Sequence, residues 1–76
     1  MGEQRDISLD KVDDLIKSKL KGLKKPLSTY EIAKNANLSW ATANTHCYKL
    51  KSFGVIDGKY EEARIGIKRV VWWLTE

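Results

Sequence analysis

A single cysteine, Cys47, in a chain of 76 residues leaves no disulfide framework to build within it. That suits a reducing compartment, and a cytoplasmic location is expected. Histidine also occurs once, as His46, beside that cysteine on what reads as a helix. Adjacent helical residues do not face each other, so the two make a poor nucleophile–base pair. One His and one Cys give no metal-ligand cluster, and the five glycines form no phosphate-cradling loop. No enzyme, cofactor or small-molecule substrate is therefore expected. No apolar run is long enough to span a bilayer, and residues 1–14 lack the hydrophobic stretch of a secretory signal. A membrane is not an expected partner. The only proline, Pro26, disfavours helix and holds Lys25 extended.

What is present is a mixture that folds: 42% hydrophobic and 32% charged residues. The length holds one small domain over residues 1–76, with residues 1–7 expected to be flexible. The formal net charge is +4. A small basic domain suggests a polyanionic partner, although modest net charge is a weak signal by itself. The distribution says more. From Lys17 to Lys51 there are eight lysines against one acid, Glu31, a net of +7. As a set they offer a phosphate-binding field.

Periodicity predicts a first helix over 9–21. Leu9, Val12, Ile16, Leu20 and Leu23 form its apolar stripe, with Asp10, Asp14, Lys17 and Lys21 opposite. Ser8 is the expected N-cap, Asp10, Asp13 and Asp14 suit the positive end, and Gly22 is expected to stop the helix. A very short strand is expected near Leu27. Ser28 or Thr29 then caps a second helix, with Glu31 placed for a capping box. Asn37 suits a left-handed turn, Leu38 anchors it, and Ser39 caps a third helix that runs to about Phe53. On that helix Ala43, Cys47 and Leu50 share one side, with His46 at the margin. Ala41, Asn44, Tyr48 and Ser52 lie opposite, with Thr45 beside them. That outer face is polar yet uncharged, where a merely solvated face more often carries Glu and Lys. After Gly54 the period changes. Val55-Ile56 is extended, Asp57-Gly58 is a turn signal, and Tyr60 to Arg64 is a strand. Gly66 marks a hairpin tip, and Lys68 to Thr75 forms the last strand. Alternation lets only one of Trp72 and Trp73 face the core.

Helix, short strand, helix, tight turn, helix, hairpin is an α+β order. It resembles the winged helix-turn-helix family of DNA-binding transcription regulators, broadly of the MarR and ArsR kind. The run from Ser28 to Ile56 carries the resemblance. Ala33 is the small residue where two helices cross, Asn37 holds the turn, Leu38 follows it, and Leu50 to Val55 gives a Leu-x-x-x-Gly-hydrophobic exit. Trp72-Trp73-Leu74-Thr75 resembles the closing wing strand. The recognition helix lacks the arginine that many relatives place near Thr45. Members often add a long C-terminal dimerisation helix beyond the wing.

The resemblance implies a sequence-specific regulator, a repressor or activator, that places helix 39–53 in the major groove of double-stranded DNA. Wing 60–74 would lie on the backbone or in the minor groove. The implied contact set is Ser39, Trp40, Ala41, Thr42, Asn44, Thr45, Tyr48 and Lys49 on the helix, Lys34 before it, and Arg64, Lys68 and Arg69 on the wing. Asn44 suits adenine and Ala41 a thymine methyl. Exposed Ile65 and Ile67 suit a partner surface or the minor groove. A homodimer on paired half-sites is expected, with Leu15 and the outward tryptophan as contacts. Two alternatives stay open. Asn44, Tyr48 and a tryptophan of the last strand resemble the set used by Z-form nucleic-acid-binding winged helices. Winged helices also serve as protein-interaction adaptors.

Overall fold

The structure, a computed structural model, describes residues 11–75. The Ser8 cap, Leu9 of the apolar stripe and the behaviour expected of residues 1–7 lie outside them. The first helix, α1 (Lys11–Leu23), buries Ile16 and Leu20, with Val12 packed against the same cluster. Two expectations for α1 are corrected. The helix runs through Gly22, and Lys24 takes the left-handed conformation instead, at φ 55°. Its N–H bonds the Leu20 carbonyl at 3.1 Å, closing the last turn. Leu23 falls past the stripe and is exposed.

Strand β1 (Leu27–Ser28) leads directly into α2 (Thr29–Ala36). Ser28 is the cap. Its Oγ accepts from the Glu31 N–H at 3.1 Å while Glu31 Oε1 accepts from the Ser28 N–H at 2.8 Å. This reciprocal box satisfies two backbone donors at the helix start. Asn37 ends α2 at φ 56°, and the Leu38 N–H returns to the Ala33 carbonyl at 2.8 Å. Ser39 caps α3 (Trp40–Ser52) by accepting from the Thr42 N–H at 3.1 Å.

Strands β2 (Ile56–Arg64) and β3 (Ile67–Leu74) form the hairpin, with Gly66 at φ 77° in its turn. The sheet is antiparallel, in the order β1-β3-β2. The turn expected at Asp57-Gly58 is absent, because β2 passes straight through both residues. Gly58 pairs with Trp72, and a Cβ there would meet the indole Cε3 at 2.5 Å. Glycine is thus required for close approach of a ring, not for a bend.

The core gathers Ile16 and Leu20 from α1, Leu27, Ile32 and Ala33 from β1 and α2, Ala43, Cys47 and Leu50 from α3, and Ile56 and Trp72 from the sheet. Trp72 is the inward tryptophan, and its Nε1–H donates to Thr29 Oγ1 at 2.9 Å. The largest side chain of the core therefore buries its one polar atom with a partner, as a buried indole requires. Trp73 is the half-buried one.

Candidate nucleic-acid interface

Small residues set the position of α3. Ala43 and Cys47 are fully buried and let its backbone approach α2 and α1. The opposite face is thereby turned outward, with Ala41 and Thr45 exposed and Asn44 half-buried. Burial pushes the Cys47 thiol up to about 12, helped by the Asp13 charge, so this cysteine is an inert packing group.

Tyr48 is fixed by the core beneath it. Its ring meets that of Trp72 edge-on, with centroids 5.0 Å apart at 89°. Loss of solvent, then a hydrogen bond with the Tyr60 hydroxyl, holds Tyr48 above the ordinary tyrosine range. The side chain thus lies between the buried Trp72 and Tyr60 on the α3 side of β2.

Between α3 and the wing lies a groove of about 290 Å³. Trp40, Asn44 and Tyr48 line it from α3, Tyr60 from β2, Lys68 and Arg69 from β3, and Tyr30 from α2. Five of the expected contact residues, Trp40, Asn44, Tyr48, Lys68 and Arg69, therefore meet in one place. Lys34 lies in an adjoining hollow with Tyr30, Asn35 and Arg69, while Ala41, Thr42 and Thr45 line another with His46. The hydroxyl of Ser39 serves the cap and also donates to Thr42 Oγ1 at 2.9 Å. Arg64 is exposed near the wing tip, where Ile65 is 97% exposed.

Two expected contacts are already engaged. The Lys49 ammonium is not turned toward the groove. It lies 2.6 Å from Asp13 Oδ2, on the side of α3 that faces α1. The spacing explains this, since Lys49 follows His46 by three residues on the same margin. His46 Nδ1 lies 2.8 Å from Asp13 Oδ1. Arg69 pairs across the hairpin with Glu61 at 2.8 Å, and this carboxylate raises the arginine above its ordinary range.

The structure also brings in residues outside the expected set. Tyr60 carried a readable signal: it shares strand alternation with Ile56 and Gly58, so its ring stands on the α3 side of β2. Tyr30 carried none, because its place beside the wing depends on the pairing of β1 with β3 just before α2 begins.

No protein-family model matches the chain, and no curated protein does. Solved structures do. A PadR family transcription regulator from Clostridium difficile aligns at TM-score 0.74 and 29% identity over 88% of this chain and 74% of that one. A possible transcriptional regulator from Methanosarcina mazei aligns at TM-score 0.77 and 18% identity, covering 92% of this chain. The adhesin competence repressor of Streptococcus pyogenes aligns at TM-score 0.76 and 22% identity over 97% of this chain. The chain spans 59% and 51% of the length of these last two. The fold is that of the winged helix-turn-helix transcription regulators. Another neighbour, a zinc-responsive MarR family member from Lactococcus lactis, has a variant solved in complex with DNA. Among the described residues no group of three or more His, Cys, Asp or Glu is placed to hold a metal ion, and no helix is long and apolar enough to cross a membrane.

Proposed function

We propose that the chain binds double-stranded DNA in a sequence-specific way and acts in the cytoplasm as a transcription regulator, of the repressor kind. The observation that carries this is the juxtaposition of an uncharged hydrogen-bonding helix face with the β3 cations Lys68 and Arg69 across one groove. Helix α3 enters the major groove, where Asn44 has the two-pronged amide that matches adenine and Ala41 meets thymine methyls. Lys34, Arg64 and Lys68 take phosphates, and the wing follows the backbone or minor groove. Two copies on paired half-sites would raise specificity, with the half-buried Leu15 and Trp73 as contacts. Sedimentation of the complex on a two-site duplex checks the copy number. Selection from a random duplex library tests the reading itself. A defined site should emerge, and Asn44→Ala should weaken it by about 1–3 kcal/mol while hardly changing random duplex. A preference left intact in a folded Asn44→Ala variant would remove α3 from the major groove.

A second reading has one observation in its favour. Of the set resembling Z-form binders, Asn44 and Tyr48 line one groove, and the Tyr48 ring meets that of Trp72. Trp72, however, is fully buried and bonded to Thr29, so it supports Tyr48 from behind and meets no ligand. Circular dichroism of an alternating GC duplex decides: inversion of its spectrum on adding protein selects the Z-form reading.

A further inference from the structure

We propose that the groove between α3 and the wing accepts a single nucleotide taken out of the helical stack of the bound DNA. This deepens the duplex-binding reading and rests on it. The groove has two properties that duplex reading does not use. The first is aromatic surface. Tyr30, Trp40, Tyr48 and Tyr60 are respectively 64%, 56%, 43% and 71% exposed, and all four line this one groove. They come from three elements, α2, α3 and β2, so their convergence is a product of the fold rather than of one amphipathic stripe. Base edges in a major groove are read by amides, hydroxyls and guanidinium groups, and four ring faces have no stacking partner there. The flat π-face of an unstacked base is what such rings bind, and it is available only when the base leaves the duplex.

The second property is the chemistry at the rim. Lys68 and Arg69 stand on β3 at the same groove, and Asn44 stands on α3. Lys68 is placed for the phosphate of the nucleotide whose base is among the rings, with Arg69 joining it on leaving Glu61, and the Asn44 amide is placed for that base's hydrogen-bonding edge. The Tyr48 ring packs edge-on against the buried Trp72, so part of the site is preformed. Trp40 and Tyr60 have most of their rings in solvent and complete it. The site would favour DNA with an unpaired, mismatched or easily unstacked base, since extrusion then costs least.

The test compares two duplexes of one sequence by fluorescence anisotropy, one fully paired and one with a single unpaired 2-aminopurine. Wild-type protein should bind the second about tenfold more tightly, and 2-aminopurine emission should be quenched as the base stacks on the rings. Tyr30→Ala/Tyr60→Ala removes two exposed rings that stand outside the expected contact set and leaves the core untouched. It should lose the preference and the quenching yet hold the paired duplex within about twofold of wild type. Equal affinity of wild type for the two duplexes overturns the inference while leaving duplex binding standing. Survival of the preference in the double variant also overturns it. Absence of binding to both duplexes overturns the duplex reading together with it. Free dAMP in competition separates the source: displacement at micromolar concentration would make the ligand a free nucleotide and overturn the extruded-base assignment.

Discussion

The Asp13 carboxylate of α1 lies 2.8 Å from Nδ1 of His46 on α3, and the aspartate is completely buried. Its other oxygen meets the Lys49 ammonium at 2.6 Å. One acid thus fastens the first helix to the margin of the helix that presents the groove residues. A buried carboxylate is tolerated only when its charge is met by partners, and removing it takes an ion-pair partner from Lys49 and a hydrogen-bond partner from His46.

Asp13→Ala should therefore cost about 3 kcal/mol, a large share of the stability of so small a domain. Urea unfolding followed by tryptophan fluorescence measures it. A change below about 1 kcal/mol would mean that the contact contributes little.

Gly58→Ala should destabilise by about 1–3 kcal/mol, because the new Cβ would meet Trp72 Cε3 at 2.5 Å, Cζ3 at 2.8 Å and the Val71 carbonyl oxygen at 3.0 Å. The indole has no room to yield, being fully buried and bonded to Thr29. Near-ultraviolet circular dichroism should show the altered tryptophan environment. An unchanged spectrum and melting temperature would contradict this packing.

Those two residues mark where the sequence could and could not be read. Local chemistry was legible: the Ser28–Glu31 box, the Asn37 turn, the Ser39 cap and the Gly66 tip all depend on a few neighbouring residues. Asp57-Gly58 looked like a turn for the same local reason, but the requirement on Gly58 comes from a residue fourteen positions away. Asp13 read as a charge at the helix start. Its position one turn before Ile16 and beside Val12 places it on the apolar stripe, yet its partners lie on α3 and no local pattern announces them. The aromatic groove was the least legible, since Tyr30 and Tyr60 meet Trp40 and Tyr48 only after the sheet has paired.

Acid should weaken the start of α2. Glu31 is held below its ordinary carboxylate value of 4.5, chiefly by its hydrogen bond to the Ser28 backbone N–H. A carboxylate depressed in the folded state stabilises fully above its unfolded value and loses that contribution as pH falls through the folded one. The melting temperature should therefore drop below about pH 4.5, and Glu31→Gln should show a shallower drop over that range. Identical acid profiles for the two proteins would refute this assignment.

On the wing, Glu61 competes with phosphate for Arg69, since the exposed pair is 2.8 Å apart. Glu61→Gln should strengthen duplex binding by roughly two- to fivefold at low salt, with the gain fading as salt screens the charges. Lys68→Ala should weaken binding on any sequence and reduce the salt slope by about one contact. Anisotropy titrations at several salt concentrations check both; equal slopes for Lys68→Ala and wild type would take the wing off the DNA.

The central claim is that duplex DNA lies across α3 and the wing, and amide chemical-shift mapping of the labelled protein during titration with duplex tests it most directly. The account predicts shifts concentrated at Ala41, Asn44, Thr45 and Tyr48 on α3 and at Arg64 to Lys68 on the wing. The outer face of α1 at Asp14, Lys17 and Lys21 should stay still. Shifts confined to that α1 face, or none at low salt, would contradict it.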